Sequence, residues 1–102
     1  MSDAGFTLER GVDGTLAVGG ELTFATAAAA LQAILDALAA QPPVGRLDLG
    51  GVVRSDSAGL ACVLAAQAQS ARQGRALTLD NVPAGMRALA QVCEVDELAG
   101  AG

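Results

Sequence analysis

The sequence predicts a single α/β domain built on a mixed β-sheet that a hairpin opens, with helices packed mainly on one face. Two short strand-like stretches divided by Gly11, Asp13 and Gly14 stand first, which is the pattern of a hairpin with a glycine-rich turn. Three segments with helical spacing of aliphatic residues follow, and a short strand-like stretch precedes each of the last two. A helical crossover of this length normally joins parallel strands with right-handed sense, so the sheet must hold both kinds of pairing. At 102 residues the chain carries one core, and one domain over 1–102 is expected, its core spanning about residues 6–98.

The elements follow in order. Phe6 to Arg10 and Thr15 to Val18 are the hairpin strands, the second closing at Gly19 and Gly20. An Ala-rich segment then repeats Leu31, Ile34, Leu35 and Leu38 at helical spacing, and Pro42 and Pro43 end it. Either Thr23 or Thr26 is placed to cap this helix. Leu47 and Leu49 alternate in a strand from Arg46 to Gly50, which breaks at Gly50-Gly51. The second helix is expected from about Ser57 to Gln73, with Leu60, Val63, Leu64, Ala68 and Ala71 along its core stripe and Gly74 as its stop. Ala76 to Leu79 is the last strand, and Pro83 fits the first turn of a third helix carrying Met86, Leu89, Ala90 and Cys93.

Composition excludes several functions. Hydrophobic residues make up 52% of the chain, with two Phe and neither Trp nor Tyr, so the core is aliphatic. The net charge is −5, and six scattered Arg are the only basic residues. Nucleic acid or anionic lipid as a ligand needs a concentrated positive surface, which this chain lacks. No His and no Lys occur, which removes imidazole-based triads, the usual metal ligands, the phosphate-gripping residue of a P-loop and Schiff-base chemistry. No catalytic residue, metal site or cofactor is therefore assigned, and the protein is expected not to be an enzyme. Cys62 and Cys93 fall at apolar helix positions and are expected to be buried or half-buried thiols in a reducing compartment. No apolar run reaches the ~18 residues of a membrane span, and Met1 to Arg10 does not resemble an export signal. A cytoplasmic protein without direct membrane insertion is expected.

What remains is the segment Arg54-Ser55-Asp56-Ser57-Ala58-Gly59-Leu60, between a strand end and a helix start. Loops at the carboxyl ends of strands are where open α/β sheets usually meet ligands and partners. One of Ser55, Asp56 and Ser57 is placed to cap the second helix. The dipole there favours a negative group, so a phosphate on Ser57 is tolerated within reach of Arg54. At about 100° per residue, Leu60, Val63 and Leu64 face one way while Ala58, Ala61, Cys62, Ala65 and Gln69 lie on the other side. A face of small, uncharged residues admits close approach by another protein and leaves an apolar patch if nothing covers it.

Asp56-Ser57-Ala58-Gly59-Leu60 resembles the motif of the STAS family (sulphate transporter and anti-sigma factor antagonist), in which an acidic residue, a hydroxyl residue, a small residue, Gly and an aliphatic residue open a helix after a short strand. Leu47-Asp48-Leu49 before it and Arg75-Ala76-Leu77-Thr78-Leu79 after it match the family's order of elements. Gly20 to Thr26 and the end near Asp96-Glu97-Leu98 resemble the accessory subunits of Mla-type phospholipid transporters. The resemblance implies a non-enzymatic subunit that binds the ATPase of an ABC transporter, in a complex with permease and substrate-binding subunits. Such a subunit supports the transporter's assembly and activity and so outer-membrane lipid asymmetry, peripheral to the inner membrane through the complex. Arg54, Ser55, Asp56, Ser57, Ala58, Ala61, Cys62, Ala65 and Gln69 are then the partner-binding residues. The alternative it implies is an anti-sigma factor antagonist regulated by phosphorylation of Ser57.

Overall fold

In the computed structural model, which describes residues 5–11, 13–40 and 44–92, the elements run β1 (Phe6–Arg10), β2 (Thr15–Leu22), α1 (Ala27–Ala39), β3 (Arg46–Ser55), α2 (Ser57–Arg72), β4 (Thr78–Asp80) and α3 (Ala84–Val92). The sheet order is β1-β2-β3-β4, with β1 antiparallel to β2 and the other two pairs parallel. The mixed, hairpin-opened sheet is the expected one.

Alternation along the strands sends one set of side chains under the helices. Leu16, Val18 and Leu22 of β2, Leu47 and Leu49 of β3, and Leu79 of β4 are buried with Ala30, Ile34 and Leu38 of α1, Leu60, Val63 and Ala66 of α2, and Met86 and Ala90 of α3. Among the other strand residues Thr7, Glu9 and Arg46 are exposed, Arg46 pairing with Asp80 at 2.7 Å, as is the apolar Val53 near the end of β3. One face is thus a dry aliphatic layer and the other meets water, as a sheet covered on one side requires.

Two glycine pairs expected to end strands lie inside them. β2 runs through Gly19 and Gly20 to Leu22, and β3 runs through Gly50 and Gly51 to Ser55. Gly19 and Gly51 sit opposite each other at a register shift. A Cβ on Gly19 would lie 2.8 Å from Thr7 Oγ1 and 3.3 Å from the Gly51 oxygen, and one on Gly51 would lie 3.2 Å from Gly19 Cα. The glycines let neighbouring backbones close together rather than part. β3 consequently reaches the end of β2, where Arg54 pairs with Glu21 and Ser55 with Leu22. This extension places the loop after β2 beside the turn into α2.

Smaller differences concern the ends. β4 begins at Thr78 rather than Ala76, and α2 ends one residue before Gln73, with Gly74 at φ 76° just beyond. Pro83 precedes α3, and its carbonyl accepts the Arg87 N–H at 2.9 Å. Pro42, Pro43, Cys93 and Asp96 to Leu98 lie outside the described residues.

The orientation of α2 differs more. Its buried residues are Gly59, Leu60, Cys62, Val63, Ala66 and Ser70, whereas Ala68 and Ala71 are exposed. The helix packs between α1 and α3 as well as on the sheet. Neighbours on three sides rotate the buried arc away from the stripe of largest side chains and bring Cys62 inside.

Candidate functional site

Two loops meet at the ends of β2 and β3, and the carboxylate of Asp56 ties them together. Of the three candidate caps for α2, Asp56 is the one used: its Oδ1 accepts the N–H of Ala58 at 2.9 Å and of Gly59 at 3.2 Å. Its Oδ2 reaches across to the Phe24 N–H at 3.0 Å, and its own N–H donates to the Leu22 carbonyl at 3.3 Å. The Phe24 N–H foremost, then those of Gly59 and Ala58 and the nearby Arg54 charge, hold the Asp56 carboxyl below its usual range against a smaller opposing effect of desolvation. Asp56 already takes two donors of the helix start and adds a negative charge beside Ser57.

The partner loop is built from its own hydroxyl. Buried Thr26 accepts the Thr23 N–H at 2.9 Å through Oγ1 and donates that hydroxyl to the Glu21 carbonyl at 2.8 Å. Thr26 stands at the N-cap of α1 but makes no side-chain cap bond; the Thr23 carbonyl accepts the Ala27 N–H instead. The expected capping threonine is thus a loop organiser.

Gly59 explains why this turn needs its small residue. A Cβ there would meet the Leu22 carbonyl oxygen, with the Leu22 carbonyl carbon at 2.9 Å and its Cβ at 3.0 Å. The first turn of α2 therefore rests directly on the backbone of β2.

Arg54, Ser57 and Ala61 are exposed and Ser55 is half-buried. Ala58 and Ala65 are half-buried and line a shallow groove of about 290 Å³ with Ala27, Ala28, Leu31, Ala61 and Cys62. Gln69, also half-buried, accepts the Arg72 guanidinium at 2.8 Å. Cys62 is the buried thiol expected from its apolar position: it is 4% exposed, so it offers a partner little surface, and burial pushes its thiol up to about 11. The small-residue face points along the flank of α2 that turns toward α1, because helix neighbours occupy more of its circumference than a two-sided division allows.

Phe24 was not among the residues singled out from the sequence, although it stands 88% exposed in the β2–α1 loop. With Glu21, Thr23, Ala25, Arg54, Ser55 and Asp56 it lines an open depression of about 570 Å³. An apolar aromatic residue inside a turn between Thr23 and Ala25 was the available signal. Among the described residues no group of His, Cys, Asp and Glu is placed to hold a metal ion, and no helix is long and apolar enough to cross a membrane.

The family model described as the MlaB-type STAS domain matches residues 7–100. The chain belongs to the STAS domain family. Solved STAS-type structures share its fold. An anti-sigma factor antagonist from Mycobacterium paratuberculosis is similar over 94% of this chain and 84% of its own, at 24% identity and a TM-score of 0.71. The unphosphorylated anti-sigma factor antagonist SpoIIAA is similar over 84% and 81%, at 23% identity and a TM-score of 0.63. A sulfate transporter family protein from Wolinella succinogenes is similar over 90% and 76%, at 19% identity and a TM-score of 0.64. No curated protein matches the sequence at a significant level. In this STAS domain the motif residues divide by role: Asp56 caps and clamps, Gly59 permits close packing, and Ser57 is presented to solvent.

Proposed function

We propose that this STAS domain is a non-enzymatic accessory subunit that docks on the ATPase of an Mla-type phospholipid-transport ABC system. The observation that carries the reading is the match of the MlaB-type model over residues 7–100, together with the exposure of Arg54, Ser57 and Ala61 around the start of α2. The subunit acts by binding energy: it favours one conformation or assembly state of the ATPase to the extent that it binds that state more tightly. In the cell it is cytoplasmic and reaches the inner membrane through the complex with permease and substrate-binding subunits, in support of outer-membrane lipid asymmetry.

Ala61 offers the cleanest test because it is exposed, whereas Ala58 is half-buried against its own groove. Ala61→Glu is expected to abolish co-purification with the ATPase subunit while the far-UV spectrum and melting temperature stay those of the parent. Undiminished recovery of the ATPase with this variant would count against this flank of α2 as the docking surface. The exposure of Ser57 favours a second reading, a phospho-regulated anti-sigma factor antagonist, in keeping with two of the structural neighbours. Intact mass of the protein from its native cell separates the two, since stoichiometric phosphate on Ser57 belongs to the switch.

A further inference from the structure

We draw no further inference here: the strongest candidate, the open apolar groove that Leu64, Gln67, Ala68 and Ala71 of α2 line with Leu77, carries nothing, because the unpartnered Gln67 Oε1 in its wall is closed off from the surface and nothing in the described residues shows what covers the groove.

Discussion

Gly59→Ala puts the packing of the site to a direct test because two effects of opposite sign meet there. In an exposed helix interior the change stabilises by about 0.8–1 kcal/mol, since Ala gives up less backbone entropy than Gly. At Gly59 the new methyl would stand 2.9 Å from the Leu22 carbonyl carbon, with the carbonyl oxygen closer still, where ordinary contact begins at 3.4 Å. The obstacle is main chain of a central strand, which cannot rotate aside as a side chain would. The start of α2 has to lift by something near an ångström, stretching the 3.3 Å bond from Asp56 N–H to the Leu22 carbonyl. Overpacking of this kind costs roughly 1–3 kcal/mol; taking the upper part of that range and subtracting the propensity gain leaves a net loss of about 2 kcal/mol. For a domain of this size that lowers the melting temperature by roughly 10 °C. Urea and thermal unfolding followed by far-UV circular dichroism read both quantities. Gly85→Ala in α3, where nothing lies within 4 Å of the added methyl, is the matched control and is expected to stabilise by at most about 1 kcal/mol. Should Gly59→Ala prove as stable as the parent, the close seating of α2 on β2 is refuted.

Other expectations concern the clamp and the thiol. Asp56→Asn leaves one carbonyl oxygen for the start of α2 but none for Phe24, so hydrogen exchange at the Phe24 amide should speed up markedly while the middle of α2 stays protected. Because the folded pKa of Asp56 lies below the ordinary carboxyl value of 3.8, its contribution is present above that value and is lost as pH falls through the folded pKa; the stability difference between parent and Asp56→Asn should shrink to nothing in that acidic window and persist at neutral pH. Cys62, in a Cys93→Ser background, should resist iodoacetamide until the domain unfolds, and rapid labelling of native protein would place it on the surface after all. With its pKa raised from 9.0 to about 11, the stability that the protonated thiol lends is complete below 9.0 and declines as pH rises from there.

Much of this protein was legible in the chain itself. Period-two alternation in Leu47 and Leu49 and helical spacing in Ile34 and Leu38 report burial directly, with Leu31 and Leu35 partly buried beside them, because apolar residues recur wherever an element turns the same face inward. The motif from Asp56 to Leu60 likewise identified the turn, since capping and close packing are local demands on residue type. Gly19, Gly20, Gly50 and Gly51 were misleading as strand ends: the same residue that permits a turn also permits two backbones to approach, and one strand in isolation does not distinguish these uses.

The sequence alone determined the order and kind of the elements and the family of the domain, for these follow from short-range pattern and residue chemistry. Tertiary structure decided which flank of α2 is covered, that Phe24 lies outside, and that one carboxylate joins two loops 32 residues apart. The physical reason is that exposure of a side chain depends on every neighbour packed around its element, and α2 has a sheet beneath it and a helix on either side.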